Sequence, residues 1–183
     1  RGTARVEGGA LVLDGKTGFV LTAPLTKTIK SRTLEAWVQL SSLDQKGGGV
    51  IGLQGVSGEP FDAIVYAEKE SRRWMSGSSG HRRTSSFGGE EEKEAKSQFV
   101  HLAIVYHEDG TIVGYRNGRP YGKSYKSGFM IYGAGEHQVI LGMRHGNTPD
   151  SKRLLSGRID RAQLYDRALT AEQVALSADV KVV

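Results

Sequence analysis

Hydrophobic and polar residues alternate along most of this chain, in short runs. ALVLD (Ala10 to Asp14), GFVLT (Gly18 to Thr22), TLEAWVQL (Thr33 to Leu40), VIGLQ (Val50 to Gln54) and FDAIVYA (Phe61 to Ala67) open the series. FVHLAIVYH (Phe99 to His107), TIVGYRNG (Thr111 to Gly118), QVILGMR (Gln138 to Arg144) and GRIDRAQLYD (Gly157 to Asp166) continue it. A period of two, in runs bounded by Gly, Asn, Asp or Ser, predicts β-strands, and this many of them predict a sandwich. FVHLAIVYH is apolar on both faces, which places it centrally in a sheet. Two turns punctuate the pattern, Asp14-Gly15-Lys16-Thr17-Gly18 and Arg116-Asn117-Gly118-Arg119; each predicts an antiparallel pairing of its flanking strands, and the Asn-Gly step suits a type I′ turn. One helix is predicted, opened by a capping box at Thr170 and Gln173 and followed by Val174, Ala175 and Leu176.

Composition agrees with this reading. The 183 residues include 25 Gly and 4 Pro and are 38% hydrophobic, enough for one turn-rich domain spanning residues 1–183 with a core over about 10–178. No apolar run approaches the roughly 20 residues of a membrane helix. The chain begins RGTARVEGG, with neither an initiator Met nor a signal-like apolar stretch, as expected of a piece excised from a larger protein. It contains no cysteine, so disulfides, thiolate metal sites and cysteine nucleophiles are excluded within it. The formal charge of +5 favours encounter with polyanions without defining a site.

Five segments in order, ALVLDGKTGFVLT, TLEAWVQL, FVHLAIVYHEDGTIVGYRNGRPYG, VILGMRHG and LSGRIDRAQLYDRALTAEQVALSA, resemble the LamG-like, concanavalin A-like lectin/glucanase jelly-roll superfamily. The resemblance implies an all-β concanavalin A-like jelly-roll sandwich of two antiparallel sheets with one short C-terminal helix. The middle region, FDAIVYAEKESRRWMSGSSGHRRTSSFGG, is also similar to modules embedded in large planctomycete-type exported proteins with a cytochrome-c-like region. That similarity implies an exported location, periplasmic or cell surface, and other domains of the parent protein as partners.

Glycosidases of this superfamily use paired carboxylates, and a retaining pair needs its carboxyl groups about 5 to 5.5 Å apart. The nearest match is Glu90-Glu91-Glu92-Lys93-Glu94, a run whose polarity predicts a solvated loop. The five histidines (His81, His101, His107, His137 and His145) show no metal or catalytic spacing, and His101, inside a strand, reads as a packed or hydrogen-bonded ring. Gly47-Gly48-Gly49 lacks the residues of a phosphate loop. No nucleic-acid-binding pattern is present.

Asp160 lies in a strand patterned for burial, and a buried carboxylate needs a cation or several donors. The resemblance implies a structural calcium here, held by Asp160 and a backbone oxygen of Gly15 or a neighbour; pairing with backbone N–H groups, Arg158 or Arg167 is the alternative. Trp37 faces away from the Leu34, Ala36, Val38 and Leu40 row, either packed beneath a loop or displayed on the concave sheet, while Tyr115, Tyr121 and Tyr125 read as rim packing.

The stretch RRWMSGSSGHRRTSSFGG (Arg72 to Gly89) reads as two strand-like arms around Ser76-Gly77-Ser78-Ser79-Gly80. Trp74 with Arg82 or Arg83 could then present an aromatic face and guanidinium donors to a sugar; alternatively, the arginines pair with Glu90 to Glu94. The sequence is thus read as a non-catalytic recognition or structural module of a larger exported bacterial protein, binding carbohydrate or a protein surface. A glycoside hydrolase or lyase is the alternative, and no paired-carboxylate motif supports it.

Overall fold

A computed structural model describes residues 1–179 as two antiparallel sheets packed face to face. The strands are β1 (Arg5–Glu7), β2 (Ala10–Asp14), β3 (Val20–Leu21), β4 (Arg32–Leu40), β5 (Gly48–Gly55), β6 (Phe61–Tyr66) and β7 (Trp74–Ser78). They are followed by β8 (Val100–Tyr106), β9 (Thr111–Arg116), β10 (Arg119–Pro120), β11 (Tyr125–Lys126), β12 (His137–Leu141), β13 (Ser156–Tyr165) and the helix α1 (Ala171–Asp179). The larger sheet runs β1-β2-β13-β4-β8-β9-β10, with β11 also on β9; the smaller runs β3-β12-β5-β6-β7. Sequence neighbours are thus often split between sheets, as in a jelly roll, and the expected sandwich with one short C-terminal helix is the fold observed.

Alternation puts Leu34, Ala36, Val38 and Leu40 of β4 and Val100, Leu102 and Ile104 of β8 between the sheets, against Ile51, Leu53, Ile64 and Tyr66. The outer face of β8 is buried as well: Ala103 and Val105 join Tyr115, Leu169 and Val174 beneath α1. That helix is capped at both halves of the predicted box, Gln173 N donating to Thr170 Oγ1 (3.2 Å) and Thr170 N to Gln173 Oε1 (3.0 Å). The second predicted turn also forms, with Asn117 and Gly118 at φ of 50° and 73° joining β9 to β10.

The first turn does not make a hairpin. The Asp14 carboxylate accepts the amides of Lys16, Thr17 and Gly18 at 2.9 to 3.0 Å and turns the chain out of the larger sheet, so that β3 pairs with β12 in the smaller one. Phe19 fixes the crossing by packing with Ile140, Met143 and Leu154 on the small sheet's outer face.

Residues 72–89 also depart from expectation. β7 pairs with β6, not with the segment that follows it, and Ser76-Gly77-Ser78 is buried strand, not turn. The small residues are needed because the space is taken: a Cβ at Gly77 would lie 2.4 Å from Val65 Cγ2. Ser76 Oγ meets Tyr106 Oη at 2.9 Å, and Ser78 Oγ accepts from Arg83 N at 2.8 Å. The second arm leaves the sheet and carries Phe87 into the core beside Tyr121 and Tyr125.

Candidate functional site

Where the 88–94 segment meets the β9–β10 hairpin, the surface folds into a cleft of about 550 Å³. Glu90, Glu91, Lys93 and Glu94 form one wall and Arg116, Arg119, Pro120 and Tyr121 the other. Two glycines let the walls close on each other. A Cβ at Gly89 would fall 2.3 Å from the Tyr121 ring, and one at Gly122 (φ +72°) 2.0 Å from the Phe87 carbonyl oxygen. Two hydrogen bonds tie the walls together, one within the backbone, Lys123 N donating to Phe87 O at 2.7 Å, and one from a side chain, the Tyr121 hydroxyl donating to Glu90 O at 2.5 Å.

Glu92 organises the site from below. Unlike its neighbours in the acidic run it is buried, because β7 turns Trp74 inward and the indole Nε1 donates to Glu92 Oε2 at 2.7 Å. Arg116 binds the same carboxylate through two nitrogens, both at 2.9 Å, and the amides of Glu94 and Ala95 donate to Oε1 at 2.8 and 3.0 Å. Burial pushes this carboxyl up, but the bonds from Arg116, Trp74 and the Glu94 amide outweigh it and hold it at about 2. Glu92 is therefore ionised at neutral pH and its lone pairs are occupied, which suits a structural anchor and disqualifies it as a general acid. Its bidentate grip fixes the Arg116 guanidinium in the cleft wall, with Nη2 also reaching Glu94 Oε2 at 2.7 Å. Among the described residues Arg119, Lys93 and Glu90 make no ion pair and are exposed.

The sequence-nominated residues are distributed differently. Trp74 is 3% exposed, faces Tyr66 across a 4.7 Å ring separation and offers no face to a ligand. Arg83 is buried too. Its Nε binds Asp62 Oδ1 at 2.8 Å and its Nη2 the Phe61 carbonyl at 3.0 Å, in a core ion cluster with Arg32 and the Tyr132 hydroxyl. Asp62 requires these partners, since an unpaired buried carboxylate is costly. Arg82 is exposed on the 79–82 turn, and its carbonyl accepts from Ser127 Oγ at 3.1 Å. The three therefore do not form one surface. The missed residues, Arg116 and Arg119, flank an Asn-Gly turn whose pairing was legible but whose opposite wall was not. Of the arginine pairings foreseen with the acidic run, Arg73 to Glu91 forms at 3.6 Å; Arg72 instead binds Asp44 at 2.7 Å.

Gly15 and Asp160 do not fit one calcium ion. Asp14 pairs with Ser156 and Leu11 with Ile159, so Asp160 lies four residues along β13 from the strand position beside Gly15. At about 3.3 Å per residue that is about 13 Å, whereas two ligands of one calcium lie within about 5 Å of each other. Asp160 instead occupies a β-bulge between Ile159 and Arg161 and is only half-buried. Among the described residues no group of three or more His, Asp or Glu is arranged to hold a metal.

His101 is hydrogen-bonded, as the sequence suggested. Its Nδ1 accepts from Gly118 N at 3.3 Å, so Nε2 carries the proton and donates to the buried Glu35 at 2.7 Å. Ser177 of α1 and Tyr165 also donate to Glu35, both at 3.0 Å, pinning the helix to the sheet. Trp37 lies on the outer face of the larger sheet, beneath the Arg161 guanidinium instead of a loop.

No helix is long and apolar enough to cross a membrane. A search of curated proteins found no match. Solved structures share the fold at low identity. A heptameric SAP-like pentraxin from Limulus polyphemus is 16% identical, with a TM-score of 0.64 over 92% of this chain and 80% of that one. Domain 4 of AbnA, a GH43 extracellular arabinanase from Geobacillus stearothermophilus solved with arabinotriose, is 20% identical, with a TM-score of 0.66 over 93% and 76%. Trypanosoma rangeli sialidase with the inhibitor DANA is 15% identical, with a TM-score of 0.67 over 96% of this chain but 28% of that one. The family model described as the concanavalin A-like lectin/glucanases superfamily matches residues 14–175. With that match over most of its length and the two-sheet sandwich it predicts, the chain belongs to the concanavalin A-like lectin/glucanase superfamily.

Proposed function

We propose that this domain is a non-catalytic carbohydrate-recognition module of a larger exported protein, and that it binds a neutral sugar in the cleft between residues 88–94 and the β9–β10 hairpin. The observation that carries the reading is the Arg116 guanidinium, clamped by Glu92 at two nitrogens and set among exposed Glu90, Lys93, Glu94 and Arg119. Sugar hydroxyls both donate and accept, so a rigid wall offering guanidinium donors beside carboxylate acceptors answers both needs. The balance of acids and bases in the lining favours a neutral ligand over a polyanion. Arabinotriose in the AbnA domain is a precedent for a sugar on this fold.

A hydrolytic reading is less favoured, because of the four carboxylates in the 90–94 run Glu92 and Glu94 are bound to Arg116 and Glu91 to Arg73, leaving Glu90 alone without an ion pair among the described residues. A glycan array with the wild type, Arg119→Ala and Glu94→Ala tests the proposal. Binding to neutral oligosaccharides that falls about tenfold or more in each variant is expected, as for loss of one charged hydrogen bond. Unchanged binding in both removes the cleft as the site, and turnover of any bound oligosaccharide removes the non-catalytic role.

A further inference from the structure

The outer face of the larger sheet is divided in two. α1 covers the half around Ala103, Val105 and Tyr115; no helix docks on the other half, built by β13, β4 and the start of β8, where Trp37 and His101 are buried and the outermost groups are the exposed Arg158 and the half-buried Arg161 and Gln39. On this second half two arginines rest on aromatic rings. The Arg161 Cζ lies 4.9 Å from the Trp37 ring centre, and the Arg158 Cζ lies 6.0 Å from that of Phe99. Neither guanidinium has a carboxylate partner within ion-pair distance among the described residues. Their remaining contacts are weak or neutral: Arg158 reaches the Glu7 carbonyl at 3.3 Å, and Arg161 reaches the Gln163 amide oxygen at 3.0 Å when that amide turns its nitrogen to Glu35.

A guanidinium supported by a ring is held in position while its N–H edge stays free, which is the arrangement that binds carboxylates. Between the two, at the β-bulge, lies the half-buried Asp160, a carboxylate with no ion-pair partner of its own among the described residues. The face therefore asks for a ligand that brings anions to Arg158 and Arg161 and a hydroxyl donor to Asp160. Nucleic acid would set phosphate against Asp160. A peptide strand would find no free backbone edge beside Arg158, where β13 is paired on both sides, with β2 and β4; from Arg161 onward only β4 pairs with it.

We infer that this helix-free half-face binds a uronic-acid polysaccharide, with Arg158 and Arg161 taking carboxylates and Asp160 a hydroxyl. The surface shares no residue with the cleft lining and borrows from the glycan-recognition reading only the class of ligand.

Affinity electrophoresis in polygalacturonate tests it. Retardation of the wild type is expected, about tenfold weaker in Arg158→Gln or Arg161→Gln and abolished in the double variant, by loss of charged hydrogen bonds. Arg161→Lys should bind more weakly than wild type, because it keeps the charge and loses the planar fork. Fully methyl-esterified polygalacturonate should not retard the protein. Equal retardation by the ester, by poly-glutamate or by DNA overturns the inference, as does undiminished binding by a folded double variant. Loss of polygalacturonate binding in Arg119→Ala would move the ligand to the cleft and overturn it too. Retardation that survives while neutral oligosaccharides fail to bind leaves this inference standing and the cleft reading rejected.

Discussion

Glu92 shows how one side chain couples the core to a surface. It is buried in a segment whose neighbours are solvated, and it is satisfied by Trp74, Arg116 and two amides. Glu92→Ala should cost about 3 kcal/mol in urea denaturation, since it strands a half-buried Arg116 and the indole N–H. Glu92→Gln, which keeps the shape and loses the charge, should cost less. The same carboxylate sets an acid limit. Its folded value of about 2 lies below the ordinary 4.5, so its stabilisation is complete above about pH 4.5 and is lost as pH falls towards 2.

His145 acts in a higher window. Burial, with the Arg153 and Arg144 charges, lowers it to about 4 against the pull of Glu59, and the neutral ring stacks on Phe61 at 4.0 Å. Its folded value lies below the ordinary 6.5, so the unfolded chain binds the extra proton first, and stability declines as pH drops from 6.5 towards 4. Melting temperatures from pH 8 to 3 should show that decline, and His145→Phe should flatten it while leaving the lower, Glu92-dependent loss in place.

At the scale of elements, β7 and α1 answer to different forces. β7 depends on close packing: Gly77→Ala would drive a methyl to within 2.4 Å of Val65 Cγ2. Overpacking of this kind costs about 1 to 3 kcal/mol, measurable as a lower denaturant midpoint with an unchanged slope. α1 depends on its cap and on its docking to Glu35 through Ser177. Thr170→Ala should cost about 1 kcal/mol. The legibility of the two elements differs for the same reason. The capping box is a contact within four residues, so the sequence displays it. The partner of β7 lies on the other side of a turn, and alternation in WMSGS does not say whether that partner precedes or follows.

Across the whole molecule, the sandwich, its central strand and its closing helix were readable because burial on one or both faces is written into the period of two and the capped run. The family was readable from five ordered segments for the same reason, since they are the strands that form the core. The candidate surfaces were not. Trp74 looked like a shelf because an aromatic among Ser, Gly and Arg suggests exposure, yet strand parity turned it towards Tyr66. Gly15 and Asp160 were joined by resemblance and separated by register. The cleft brings residues 88–94 against 116–122, and the helix-free half-face brings Arg158 and Arg161 over Phe99 and Trp37. The sequence by itself determined which residues alternate, where turns fall and that one layer must cover another, because these are short-range consequences of side-chain polarity and backbone geometry. Only the tertiary structure decided which charges meet and which stay free. That outcome depends on strand order and register, which are set by the packing of distant strands against one another.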